Sequence, residues 1–173
     1  TAADVGTPNP ESLKGIADQY EGVRAVASLS RLPAADEYLR CVRLGVKAGA
    51  KLNADGTVPA DDVLGDEERT RYLGEAERLY RTVLEKNQGD PAKALHAINA
   101  ATGLAAVALC RGDAAAAKTS LEQAVKLAEA RGYTDLANAT KKRIEALGSI
   151  GAPPKLFAAA DLPKPPEPPK PPE

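Results

Sequence analysis

Residues 104–128 have the sequence LAAVALCRGDAAAAKTSLEQAVKLA, which carries the clearest structural pattern of the chain. On both sides of Gly112, apolar residues recur three and four positions apart, as they do on the buried face of an amphipathic helix. Gly112 is suited to the end of one helix, and the Asp113 carboxylate can accept hydrogen bonds from the free N–H groups of the next. The stretch therefore predicts two helices joined by a short turn.

An internal repeat extends this pattern toward the N-terminus. Three positions recur at an offset of 41 residues: Ala76, Tyr80 and Val83 correspond to Ala117, Leu121 and Ala124. The spacing resembles the second helix of the tetratricopeptide repeat, in which the small residue lets the paired helices approach closely. This resemblance covers residues 10–148 and implies a stack of antiparallel helical hairpins.

Cap and turn signals place the helices along the chain. We expect them at residues 10–20, 23–46, 66–86, 91–111, 114–131 and 134–148. Gly22 is predicted to cap the first helix, and an apolar stripe from Val23 through Leu29 predicts the second. Pro33 lies within that stripe, so the second helix is expected either to kink or to consist of two abutting helices.

The predicted fold is all-α: a right-handed tetratricopeptide-like stack of about six helices. The predicted divisions are a flexible leader at 1–9, the helical domain at 10–148 with a loop insertion at 48–65, and a proline-rich tail at 149–173. Seven of the last eleven residues are Pro, which favours a polyproline II rod or a disordered segment. Only Leu156, Phe157 and Leu162 offer side chains that could tether the start of the tail to the body.

The composition argues against several structural and functional classes. Only 3% of the 173 residues are aromatic, which argues against a β-sandwich or barrel. The 23 Lys and Arg nearly balance 24 Asp and Glu, so no net positive field favours nucleic acid. No apolar run in the sequence approaches the roughly 20 residues that cross a bilayer, so we expect no membrane insertion of this segment.

A short phrase near the N-terminus points to a family within this superfamily. Residues 13–25, LKGIADQYEGVRA, resemble the membrane-anchored ancillary subunit of the Sec translocon and related bacterial envelope tetratricopeptide proteins. The resemblance implies a non-catalytic scaffold or chaperone-like domain, without a cofactor, that binds translocon components or exported envelope proteins. It also implies an extracytoplasmic location behind an N-terminal transmembrane helix. Because the chain contains no Met, we expect Thr1 to be preceded by another segment.

Protein or peptide binding is expected on the first helices of the hairpins. Side chains that the apolar stripes leave free are the candidates for partner contact: Tyr38, Asn99 and Thr102. Stacked hairpins leave a curved face on which such residues can meet a partner. No catalytic, cofactor-binding or metal-ligating set is predicted.

An alternative hypothesis is a small helical enzyme or ligand-binding domain. It would use His96, the only histidine, together with the acidic loop that includes Asp61 and Asp62. A general base needs an orienting partner and a substrate or nucleophile, and His96 has no such residue at catalytic spacing. A half-buried or surface histidine is the simpler interpretation.

Two further patterns leave alternatives open. Residues 51–62 partly match a helix-loop-helix calcium loop through Asn53, Asp55 and Gly56, but Lys51 stands where the first carboxylate is needed. An Asx-rich turn is the other interpretation, and tight calcium binding is not expected. Cys41 and Cys110 are either small buried thiols or the two ends of a disulfide.

Overall fold

The fold is all-α in the part of the chain that the structure describes. This structure, a computed structural model, describes residues 9–23, 25–51, 53 and 57–150. Within these ranges the α-helices are α1 Pro10–Gln19, α2 Val26–Leu44, α3 Asp66–Asn87, α4 Ala94–Cys110, α5 Ala114–Glu129 and α6 Thr134–Ile150. Short 3-10 helices occupy Ala60–Asp62 and Pro91–Lys93. The predicted all-α class is confirmed.

Side-chain caps begin α1 and α5 at the positions where the sequence predicts helix starts. The Asn9 side chain accepts from the Glu11 N–H, and the Asp113 side chain accepts from the Ala116 N–H, each at 2.9 Å. Gly112 adopts a left-handed φ of 78° in the turn between α4 and α5, where a side chain would be strained. The prediction for Gly22 is wrong, because α1 ends at Gln19 and Tyr20 is its C-cap.

Pro33 does not divide the second helix. α2 runs without a break from Val26 to Leu44, so the prediction of two abutting helices is wrong. Pro33 is exposed on the same side of α2 as Leu29. Because proline has no N–H, one backbone carbonyl in the preceding turn receives no helical hydrogen bond, and on this exposed side water can bind it instead. Leu29 itself is 57% exposed and Val23 is also exposed, which corrects their placement on the buried stripe.

The helices pack in chain order, each against the next, and α2 also packs against α4. As a result, α2 and α4 each contact three other α-helices and are more enclosed than α1 and α6, the first and last helices. Ala76 of α3 and Ala117 of α5, the small residues of the repeat, are both fully buried. Ala117 packs in a cluster with Ala105 and Ala108, so small side chains on both helices bring α4 and α5 close together.

The contact between α3 and α4 depends on a missing side chain. Gly103 lies against the ring of Tyr80, and a β-carbon at this position would lie 2.3 Å from the nearest ring atom. The Tyr80 hydroxyl donates to Asp36 of α2, so one side chain links three consecutively packed elements. Burial, followed by the hydrogen bond to Asp36, raises the pKa of Tyr80 well above its usual range.

The segment between α2 and α3 is held at its two ends. The Lys47 N–H donates to the Asp62 carbonyl at 2.8 Å, and the Leu64 N–H donates to the Gly45 carbonyl at 2.9 Å. These bonds form an isolated antiparallel bridge, so the chain leaves α2 and returns to α3 at nearly the same place. The predicted loop at 48–65 thus contains one 3-10 turn and no α-helix among its described residues.

The predicted ends of the chain lie largely outside the described residues. Of the leader at 1–9, only Asn9 is described, as the cap of α1. The helix α6 ends at Ile150 rather than at residue 148, so residues 149 and 150 belong to the helix and not to the tail. Residues 151–173, with the predicted proline-rich tail, lie outside the described part.

Candidate functional site

Tyr38 is not a surface residue, which corrects its assignment as a partner-binding position. Its side chain is 2% exposed because α1 packs over this part of α2. The Tyr38 hydroxyl donates to Glu11 of α1, and its ring meets the Tyr72 ring edge-on at 5.1 Å between centroids. Desolvation and the contact with Glu11 raise the pKa of Tyr38 well above its usual range. Through these two contacts, Tyr38 stabilises the packing of α1 against the core.

Asn99 and Thr102 lie along one side of α4, as expected for surface candidates. Asn99 is exposed and Thr102 is half-buried. Five residues at helical spacing form this side, which we call the α4 row: Leu95, Asn99, Thr102, Ala106 and Leu109. Leu95 is 48% exposed and Leu109 is 37% exposed. The row therefore presents apolar side chains to solvent at both of its ends.

A groove opens beside the C-terminal half of the α4 row. It lies between α4 and α6 and has a volume of about 240 Å³. Residues of three helices line it: Thr102, Ala105, Ala106, Leu109, Leu121, Arg143, Ala146 and Leu147. We refer to it as the α4–α6 groove. Thr102, one of the residues expected to contact a partner, thus lies in the groove, whereas Asn99 lies one turn away on the same row.

The walls of the α4–α6 groove are almost entirely apolar. The Thr102 hydroxyl donates to the Ile98 carbonyl at 3.0 Å, so its hydrogen-bonding capacity as a donor is used within the helix. Arg143 is the one charged residue of the lining, and its side chain is exposed. Such a surface can hold apolar side chains, with a cation at the rim to favour a nearby carboxylate.

The sequence did not single out the residues that α6 contributes. The predicted partner-binding positions lie only on α2 and α4, so Arg143, Ala146 and Leu147 are not among them. Their spacing from Ala139, at four, seven and eight residues, is a helical row that faces the same direction, and this was the available signal. What the sequence could not show is that this row lies opposite α4.

The helix that carries the α4 row is also the most apolar one. The stretch Pro91–Cys110 is long and apolar enough to meet the length and composition test for crossing a membrane. This differs from the expectation that no run in the sequence approaches that length. Half of the stretch is buried within the fold, where it packs against α2, α3 and α5, as a core helix does.

The structure does not bring His96 and the acidic loop together. His96 lies in the first turn of α4, next to the end of α3, whereas the loop precedes the start of α3. The 22 residues of α3 separate the two regions by about 33 Å. The His96 Nδ1 atom is buried and lacks a hydrogen-bond partner, but the residue as a whole is half-buried. The pairing that the enzyme hypothesis requires is thus not formed.

The calcium-loop pattern is only partly described. Asp55 and Gly56 lie outside the described residues, while the Asn53 amide donates to Thr57 Oγ1 at 2.9 Å in a local turn. Within residues 9–23, 25–51, 53 and 57–150, no three His, Cys, Asp or Glu side chains are grouped to hold a metal ion. The question of calcium at 51–62 stays a prediction.

The two cysteines are free, so the disulfide alternative is wrong. Cys41 is fully buried in α2, and Cys110 is half-buried at the end of α4. Burial raises the pKa of the Cys41 thiol to about 11, and the Glu37 carboxylate beside it acts in the same direction. Cys41 is therefore a protonated core thiol at neutral pH.

No family model, curated protein or solved structure matches this chain. The resemblance to tetratricopeptide proteins of the envelope consequently stays a prediction from the residues quoted above.

Proposed function

We propose that this chain is a tetratricopeptide-like scaffold or chaperone-like domain of the bacterial cell envelope, with no catalytic activity. It binds a protein or peptide segment, and translocon components and exported envelope proteins are the partners that the sequence resemblance implies. We place it on the extracytoplasmic side, behind an N-terminal transmembrane helix.

The α4–α6 groove is the observation that carries the proposal. An apolar groove of about 240 Å³ lined by three helices is suited to the apolar side chains of an extended or helical segment. The adjoining α4 row extends this surface from Thr102 through Asn99 to Leu95, about two helical turns away. A partner can therefore anchor apolar side chains in the groove and contact Asn99 beyond it.

The order of helix contacts supports the stacked-hairpin architecture of the proposal. The pairs α2–α3 and α4–α5 each form a hairpin, and the first helices of both, α2 and α4, also contact each other. Ala76 and Ala117 are buried at equivalent places in the second helices. This is the relation expected of two successive units in a helical repeat.

Site-specific photocrosslinking in native envelope membranes tests the proposal. A photoreactive residue replaces Asn99 in one variant and Leu109 in another, and Glu122 on the exposed side of α5 is the control position. We expect adducts to membrane or exported proteins from both α4 positions and not from the control. Equal adducts from all three positions, or none from the α4 positions, would contradict the assignment of this surface.

A further inference from the structure

We infer that the segment at residues 152–162 binds in the α4–α6 groove of its own molecule through Leu156 and Phe157. The inference rests on the proposed function, because it assigns an internal competitor to the proposed partner surface. A partner would then have to displace this segment before it could bind.

The position of the groove relative to the end of α6 supports an occupant from the same chain. Leu147 lines the groove, and α6 ends three residues later at Ile150. Leu156 follows after another six residues, a connection that can extend over about 20 Å. The lined part of α4 from Thr102 to Leu109 is only about 10 Å long, so the connection reaches every part of the groove.

The chemistry of the segment matches the groove. Among residues 151–173, the large apolar side chains are Leu156, Phe157 and Leu162. An apolar cavity of roughly 150 Å³ can hold a benzene ring, so a groove of about 240 Å³ has room for one phenyl group and part of a leucine. The residues after Leu162 are Pro, Lys and Glu alone, which provide no comparable apolar group.

The electrostatics of the rim permit this contact. Arg143 is the charged residue of the groove lining, and residues 152–162 carry one positive and one negative charge, Lys155 and Asp161. The segment therefore brings no net like charge against the guanidinium. A short tether also gives the segment an effective concentration in the millimolar range, so that modest intrinsic affinity suffices for occupancy.

Fluorine NMR tests the inference directly, because Phe157 is the only phenylalanine in the chain. Incorporation of 4-fluorophenylalanine gives a single resonance from the full-length protein, and a labelled peptide of residues 152–173 supplies the unbound reference. We expect the protein resonance to be shifted from the peptide resonance and broadened, independently of protein concentration. A resonance that coincides with the peptide would overturn the inference, and a shift that grows with concentration would indicate a second copy instead.

A matched pair of variants in α6 locates the contact. Ala146→Arg adds a bulky cation in the groove, whereas Asn138→Arg adds the same side chain at an exposed position outside it. We expect Ala146→Arg to return the resonance to the peptide value and Asn138→Arg to leave it unchanged. Circular dichroism of both variants checks that each one folds. Equal effects of the two variants would overturn the assignment to the groove.

A binding measurement separates this inference from the proposed function. A fluorescent peptide of residues 152–162 is titrated into the wild-type chain and into a full-length Leu156→Ser, Phe157→Ser variant. We expect binding to the variant to be about tenfold tighter, because the tethered competitor is removed. Equal affinity for the two chains refutes the inference. If the NMR shift is present but the α4 positions yield no protein adducts, the inference stands and the proposed function fails.

Discussion

Replacing Gly103 with Ala is expected to destabilise the protein, although alanine is the better helix former. The new β-carbon would lie 2.3 to 2.6 Å from three atoms of the Tyr80 ring. That ring has little freedom to move, because the side chain is 1% exposed and its hydroxyl donates to Asp36. Overpacking costs about 1–3 kcal/mol, and removing a helical glycine gains about 1 kcal/mol. Because three short contacts place the overpacking cost at the upper end of this range, we expect the free energy of unfolding to fall by about 1–2 kcal/mol.

Gly74→Ala is the matched control for this substitution. Gly74 lies within α3, is exposed, and has no atom within 4 Å of a built β-carbon. Alanine there should stabilise the protein by about 0.5–1 kcal/mol through helix propensity alone. Urea unfolding followed by circular dichroism measures both free energies of unfolding.

A double-mutant cycle assigns the loss to the Tyr80 ring. In a Tyr80→Leu background, the penalty of Gly103→Ala should fall by more than half, because the clashing ring atoms are removed. Two results would contradict the close packing of α3 on α4 at this position. One is a Gly103→Ala variant as stable as Gly74→Ala, and the other is a loss of unfolding free energy from Gly103→Ala that is the same with and without the Tyr80 ring.

Three further outcomes are expected. Replacing Ala117 with Leu should lower the free energy of unfolding by about 1–3 kcal/mol, because three more carbons would have to fit into a fully buried position packed against Ala105 and Ala108; an unchanged melting midpoint would count against the packing of α5 on α4. A chain truncated after Leu162 should keep the urea midpoint and slope of the full chain, because the removed residues offer no apolar side chains to bury. Glu77 accepts hydrogen bonds from Arg111 and Arg81, which lower its pKa in the folded protein. The ionised carboxylate therefore stabilises the folded state at pH values above the pKa of an unfolded glutamate, about 4.3, and this stabilisation is lost as the pH falls through the lower folded-state pKa. Glu77→Gln should therefore cost up to about 1 kcal/mol at pH 7 and progressively less below pH 4, as read from urea midpoints across this range.

The helical class and most helix ends follow from local sequence. Asn9 and Asp113 cap helices because their short side chains reach N–H groups only two or three residues away. The same locality applies to Gly112, whose left-handed backbone conformation ends α4. Interactions of this range depend on neighbouring residues alone, so a pattern in the chain is sufficient to predict them.

The surface candidates were predicted less well because exposure depends on distant elements. Tyr38 lies on a side of α2 that the apolar stripe left free, and α1 covers it through a contact that joins residues 27 positions apart. Leu29 belongs to the predicted stripe and yet is exposed, since no described helix packs over that ridge. Helical spacing shows which residues share a side, but not which side a neighbouring helix covers.

The α4–α6 groove shows the same limit most clearly. Thr102 could be proposed from the sequence because its position on α4 is a local property. Its combination with Leu121 and Leu147 arises only when three helices pack together. Helix formation is governed by hydrogen bonds and side chains within a few residues, and these can be found in the sequence. The space between packed helices is set by the volumes of side chains from separate segments, so it becomes defined only in the folded chain.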